Sequence, residues 1–276
     1  MLSQTGFVAV PTAADTWTTI GTETVPTGVK SIKKVRFGVA PDVGASATSI
    51  RIATVFRMRG SGLGEQDPHN FVGPSGGHGT TTDGAVNFDA LWKEYDVDIP
   101  VNATGTFTVE VNTLDEAITA GTVLYDVIYS DEAPKAKNSM SDYVDATGTT
   151  TADAWATGAT FTVPQGITGK EPTMIKKVIV GIGIDQGTSA IALRLASRMR
   201  LTGSGIAESG THEFLGPLGC TAQQGGTPVG SVSQQNNTVE YDVNIPVKAG
   251  GQIVAEQRYE IETPTASTFI VGLVYS

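Results

Sequence analysis

The stretch EYDVDIPV at Glu94–Val101 returns in the second half of the chain as EYDVNIPV at Glu240–Val247. In both copies acidic and apolar side chains alternate, which is the period of a strand with one buried face. The match extends outward in both directions, so most of one half has a counterpart in the other. Further matched segments are Trp17 with Trp155, IKKV at Ile32 and Ile175, RMR at Arg57 and Arg198, the Gly-rich stretches from Gly60 and Gly203, and the ends LYDVIYS and IVGLVYS at Ser130 and Ser276.

This duplication predicts the domain organisation of the 276 residues. We expect one domain at 1–130, a polar linker at 131–140 and a second domain at 141–276, each with its own core. Alternation recurs in SIRIATVFRMR from Ser49, Gly- and Thr-rich turns separate the segments, and long helical periodicity is absent. The sequence therefore predicts an all-β protein made of two tandem homologous antiparallel β-sandwiches. About eight strands in each unit favour jelly rolls over immunoglobulin-like sandwiches.

Composition argues against several classes of protein. The chain has 18 Lys and Arg against 28 Asp and Glu, for a formal net charge of −10. We therefore expect no direct nucleic-acid binding. A single cysteine excludes an intramolecular disulfide framework. No apolar run approaches the roughly 18 residues of a membrane span, and the first residues lack the pattern of a signal peptide.

Two matched histidines are candidates for chemistry, because each follows a glutamate by four residues. Carboxylate and imidazole can bind a divalent metal or transfer protons, but one histidine per copy falls short of the four ligands of structural zinc. Acidic loops at 42–44 and 185–187 suggest calcium, yet they lack the dense acidic pattern of a calcium loop. We expect no cofactor. The weak metal candidates are Glu65, His69, Glu208 and His212.

No motif in the sequence predicts an enzyme. The segment at 73–77 formally matches G-x-S-x-G, but no helix follows it, as a nucleophile elbow requires. We interpret the segment as a turn that opens the first of two long Gly-rich loops, at 73–89 and 216–239. Loops of that length usually serve contacts or function.

Rows of charged side chains are predicted to point away from the cores. They can pair within one sheet or across a contact between subunits. Because an exposed pair contributes only about 0–1 kcal/mol, we expect such rows to set register and the choice of neighbour. The candidate assembly residues are Arg57, Arg59, Arg198 and Arg200 in the basic rows, and Asp96, Asp98 and Asp242 in the acidic rows.

The layout of the chain resembles the double jelly-roll major capsid proteins of icosahedral viruses. The resemblance rests on the tandem copies, Thr12–Ser130 and Thr150–Ser276, joined by Asp131–Met140, and on no short motif. It implies a homotrimer that acts as a pseudo-hexamer in a larger lattice, located in a virion assembled in the host cytoplasm, with other virion proteins as further partners. Two alternatives stay open: a tandem carbohydrate-binding or adhesin-like module, and another virion or filament protein built from the same unit.

Overall fold

The computed structural model describes most of the chain as β-strands and the turns between them. The described residues are 2–9, 13–42, 50–64, 68–78, 86–88, 92–114, 120–134, 140–147, 152–165, 171–185, 194–221, 232–235, 238–260 and 266–276. No helix among these residues has the length and apolar character of a membrane span.

The described residues form eighteen strands, nine in each half of the chain. The first half contains β1 (Leu2–Ala9), β2 (Thr18–Thr24), β3 (Ser31–Asp42), β4 (Ile50–Arg59), β5 (His69–His78), β6 (Val86–Phe88), β7 (Trp92–Pro100), β8 (Thr106–Thr113) and β9 (Ala120–Ser130). The second half contains β10 (Met140–Thr147), β11 (Ala156–Thr162), β12 (Met174–Asp185), β13 (Arg194–Thr202), β14 (His212–Thr221), β15 (Val232–Gln235), β16 (Thr238–Pro246), β17 (Gln252–Tyr259) and β18 (Ala266–Tyr275).

Each of the four sheets takes its strands from one half of the chain. In the first half, sheet 1a has the order β1-β9-β3-β7 and sheet 1b has the order β2-β8-β4-β5-β6. The second half repeats this plan as sheet 2a, β10-β18-β12-β16, and sheet 2b, β11-β17-β13-β14-β15. Most strands successive in sequence pass between the two sheets of a pair, and only β4, β5 and β6 and their counterparts β13, β14 and β15 stay within one sheet, which is the jelly-roll plan. The predicted all-β fold of two tandem jelly rolls is confirmed.

The first core is an aromatic cluster between sheets 1a and 1b. The rings of Phe37 and Phe56 stack with their centroids 4.4 Å apart, and Phe71 lies 5.2 Å from Phe37. In the second half, Met199 and Phe214 take the pairing positions of Phe56 and Phe71. The two cores therefore share a register but differ in side chains.

The segment at 73–77 is part of β5, so its interpretation as a turn is wrong. The register shifts between Ala53 and Val55, and the Thr54 hydroxyl donates to the Pro74 carbonyl oxygen at 2.6 Å. A Cβ on Gly73 would lie 2.4 Å from that hydroxyl oxygen, so only glycine fits. This is a β-bulge, which lets the strand continue past an extra residue.

The long Gly-rich loops expected at 73–89 and 216–239 are also shorter than predicted. Strand β5 runs on to His78 and β14 to Thr221, and the short strands β6 and β15 pair with them. Backbone hydrogen bonding between neighbouring segments overrides the low strand propensity of glycine here.

Candidate assembly surfaces

The contact between the two halves joins unlike faces of the duplicated unit. Strands β4 and β5 of sheet 1b pack on β12 and β18 of sheet 2a. Ile179 and Ile270, both from sheet 2a, are buried in the hydrophobic cluster of the first half. A Cβ on Gly272 would lie only 2.7 Å from Val72 Cγ2, so the two sheets approach closely at this glycine. The outer face of sheet 1b thus packs on the outer face of sheet 2a.

Polar groups add to this contact. Lys93 Nζ lies 3.5 Å from Glu240 Oε1 across the boundary between the halves. The Tyr95 hydroxyl donates to the Val72 carbonyl oxygen, and burial raises the pKa of that phenol well above its usual value. The tyrosine therefore holds the backbone of β5 at the residue that contacts the second half.

The duplication also produces a second copy of each face, on sheets 1a and 2b. We call residues at equivalent positions of the two copies twins. Val72 is buried in the contact between the halves, whereas its twin Leu215 on β14 is 63% exposed. Trp92 on sheet 1a is another exposed large hydrophobic side chain, with 52% of its surface exposed. Each of the two free faces therefore carries one of these apolar side chains.

A cavity of about 520 Å³ opens beside Trp92 on sheet 1a. The indole lies over Gly38, where ring carbons would be 2.8 Å from an added Cβ, so the glycine lets the ring lie flat on the sheet. Leu124 lines the cavity together with charged groups. Arg36 donates from Nε to Glu94 at 2.5 Å, and its Nη1 lies 3.5 Å from Asp126 Oδ2.

Three residues that line this cavity, Arg36, Leu124 and Asp126, are twins of residues that lie in the contact between the halves. Leu124 corresponds to Ile270. Arg36 on β3 lies opposite Asp126 on β9, just as Ile179 on β12 lies opposite Gly272 on β18, so Arg36 is the twin of Ile179 and Asp126 is the twin of Gly272. The cavity therefore occupies, on the free face of sheet 1a, the place where sheet 2a receives Val72.

The two RMR segments do not occupy equivalent positions in the structure. The structural equivalence is shifted by two residues from the sequence match, so that Arg57 corresponds to Arg200. Arg57 donates to a glutamate of β8 and lies 4.1 Å from the centroid of the Trp17 ring. In the second half that place is taken by Arg200, which donates to a glutamate of β17 and lies 4.4 Å from the centroid of Trp155. Both tryptophans thus have a guanidinium over their rings. Arg198 instead takes the position of Val55, and it pairs with Glu213 of β14 and with Glu260, which follows β17.

The basic and acidic rows lie on different sheets of each jelly roll. Arg198 pairs with Glu213 and Glu260 on sheet 2b, and Arg59 is exposed on sheet 1b. The acidic rows instead pair with lysines of β3 and β12, next to them in the same sheet. Asp98 pairs with Lys33, Asp96 lies 3.3 Å from Lys34, and Asp242 faces Lys177 in the strand register.

Glu94 is the most heavily paired member of the acidic row on sheet 1a. It accepts hydrogen bonds from Lys34 and Arg36, and these donors lower the pKa of its carboxyl group. The same contacts raise the pKa of Lys34. The charges beside the Trp92 cavity therefore neutralise one another within the sheet.

The matched histidines occupy different environments. His69, at the start of β5, is fully buried, and Glu65 lies outside the described residues. His212 starts β14, and its Nε2 lies 3.2 Å from Glu208 Oε1. Within the described part of the chain, no three His, Cys, Asp or Glu side chains come together as a metal site would need. Most of the candidate calcium loops at 42–44 and 185–187 lies outside the described residues.

Sequence reasoning missed the outward-facing residues that join the halves, although a signal was present. The segment from Val178 to Ile182 is continuously apolar, as is Phe269–Leu273. Their twins in the first half, VRFGV and VLYDV, carry Arg36 and Asp126 instead. A continuous apolar run is typical of a strand that is buried on both faces.

A comparison with solved structures finds two viral proteins and one bacterial enzyme among those similar to this chain. A chain in the atomic structure of the Sulfolobus turreted icosahedral virus is 8% identical, with a TM-score of 0.46, over 99% of this chain and 90% of that chain. The major capsid protein P2 of bacteriophage PM2 is 10% identical, with a TM-score of 0.36, over 100% and 98%. PNGase F, a glycosylasparaginase from Flavobacterium meningosepticum, is 10% identical, with a TM-score of 0.35, over 99% and 96%.

No protein-family model matches the sequence, and no curated protein matches it. The chain is a double jelly roll, as its strand order shows, and it is similar to the major capsid protein P2 of bacteriophage PM2. The tandem jelly-roll fold that the resemblance implies is confirmed by the strand order of the chain.

Proposed function

We propose that this protein is a structural, self-assembling protein, a viral major capsid protein whose subunits form pseudo-hexameric trimers. The observation that carries the proposal is the contact between unlike faces of the two jelly rolls, with a free copy of each face left over. A subunit with two complementary faces of this kind can add further copies head to tail, and the chain of contacts closes into a ring if the rotation between copies allows it.

Three such subunits would supply six jelly rolls of one topology. Every neighbour in the ring would then meet the next through the same two kinds of face, either within a chain or between chains. The net charge of −10 suits a shell that does not coat nucleic acid directly. The same hypothesis places the protein in the virion, with other virion proteins as further partners, and gives it no enzymatic role.

A carbohydrate-binding module is the second candidate, and the Trp92 cavity favours it. A flat exposed aromatic ring beside acidic groups, in a cavity of about 520 Å³, has the size and polarity of a small-ligand site. Trp17 and Trp155 do not add to such a surface, because arginine guanidinium groups lie over their rings.

Negative-stain electron microscopy of the purified chain, combined with a glycan-binding screen, separates the two candidates. We expect six-lobed particles made of three copies, alone or in larger arrays, and no glycan binding. Single particles of one copy that bind a glycan, with binding lost in Trp92→Ala, would overturn the capsid hypothesis in favour of the second candidate.

A further inference from the structure

We infer that two copies of this chain bind each other head to tail, with Leu215 of one copy entering the Trp92 cavity of the next. The inference rests on the proposed function and names the two surfaces through which the subunits meet. One surface is the exposed part of β14 on sheet 2b, and the other is the outer face of sheet 1a.

The contact within the chain serves as the template for the contact between chains. Inside the chain, Val72 of sheet 1b lies against Gly272 of sheet 2a. Leu215 and Asp126 are their twins, so an equivalent contact between copies brings Leu215 to the edge of the cavity beside Asp126. The tyrosine that fixes this part of the strand is also repeated, since the Tyr241 hydroxyl donates to the Leu215 carbonyl oxygen at 2.7 Å.

Asp126 differs from its twin Gly272, and Leu215 from its twin Val72, in ways that suit the insertion of Leu215 into the cavity. Asp126 places a side chain where Gly272 has none, so the two sheets of neighbouring copies lie further apart than those within a chain. Leu215 is longer than Val72 and spans part of that gap. The cavity has room for a leucine side chain and offers Trp92 and Leu124 as apolar walls.

The contact within the chain and the two free faces also differ in polarity, as expected if the free faces are exposed before assembly. The internal contact is largely apolar, with Ile179 and Ile270 fully buried and the ion pair of Lys93 with Glu240 beside them. The free faces surround one apolar anchor each with charged groups, Arg36 and Asp126 on sheet 1a and the pair formed by Arg198 with Glu213 on sheet 2b. An apolar centre within a polar rim is typical of surfaces that are first exposed and then buried.

Directed crosslinking tests the orientation of this contact. Asp126→Cys and Leu215→Cys are placed on separate chains, each in a Cys220→Ser background, and treated with a short bismaleimide. We expect a covalent dimer when the two variants are mixed and little when either is treated alone. If each variant crosslinks to itself, the contact joins like faces and the inference is wrong.

The same experiment separates failure of the inference from failure of the proposed function. If the wild-type chain assembles but the mixed variants do not crosslink, assembly uses other surfaces. In that case the inference about Leu215 is wrong, and the proposed function stands. If the wild-type chain stays a single copy at every concentration, both fall.

A charge placed on the anchor tests its contribution to binding. We expect Leu215→Asp to weaken subunit association by at least about thirty-fold, as for a central interface residue. The matched control is Thr160→Asp, which adds the same charge to an exposed residue of β11, at the opposite edge of the same sheet. It should change association by less than about three-fold. Equal effects of the two variants would overturn the inference, and unchanged circular dichroism spectra would show that both variants are folded.

Discussion

Replacing Gly272 with alanine tests the packing between the two jelly rolls. The new Cβ would lie 2.7 Å from Val72 Cγ2, whereas carbon atoms in contact prefer roughly 3.5–4.0 Å. The valine or one of the sheets must therefore move by about 1 Å. Overpacking of this kind costs about 1–3 kcal/mol of unfolding free energy.

A second substitution isolates that clash. Val72→Ala alone should cost about 1–3 kcal/mol through lost burial. In the double variant the Cγ2 atom is gone, so the clash with the new Cβ disappears. We expect the double variant to be more stable than the sum of the two single effects by at least about 1 kcal/mol.

Urea unfolding, followed by tryptophan fluorescence and circular dichroism, measures all three variants against the wild type. Asp126→Ala is the matched control, because Asp126 is the twin of Gly272 on the free face, and its loss should cost less than about 1 kcal/mol. Effects of Gly272→Ala and Val72→Ala that add within about 0.5 kcal/mol would refute the close packing of sheet 1b on sheet 2a.

Two further predictions concern the interior of each half. Arg57→Ala should lower the unfolding free energy by about 1–3 kcal/mol, because it removes both a partly buried ion pair and the contact with the Trp17 ring. An equal loss in Arg59→Ala, at an exposed position, would contradict this. Burial raises the pKa of Tyr259 from 10.0 to about 12, so the contribution of this phenol to stability is complete below pH 10 and is lost as the pH rises to 12. The loss is on the order of 3 kcal/mol. Urea unfolding at pH 9 and pH 11.5 should therefore show a smaller decrease in Tyr259→Phe than in the wild type, and equal decreases would disprove the assignment.

The repeat and the alternation of side chains were sufficient to predict the jelly rolls. In EYDVDIPV, for example, Tyr95 and Ile99 are buried and Asp96 carries its charge outward, as the period of a strand requires. The alignment failed locally at RMR, because identical letters there occupy positions two residues apart in the sheet. The glutamate partners of Arg57 and Arg200 show the true register, which agrees with the match of Gly60 to Gly203.

The assembly surfaces were much less predictable, since they depend on how whole sheets stack. The charged rows were predicted to set the choice of neighbour, yet Asp98 is paired with Lys33 within its own sheet. The residues that form the assembly surfaces are instead ones that differ between the two copies. Leu215 is exposed where Val72 is buried, and that difference appears only when the position of the second half is known.

Light scattering coupled to size-exclusion chromatography tests most directly whether the chain assembles. One chain has a mass of 28.7 kDa. We predict a particle of three times this mass, or of a larger multiple, and we expect the measured mass to increase with protein concentration. A constant mass of one chain at every concentration would contradict the proposal that this double jelly roll is a self-assembling structural protein.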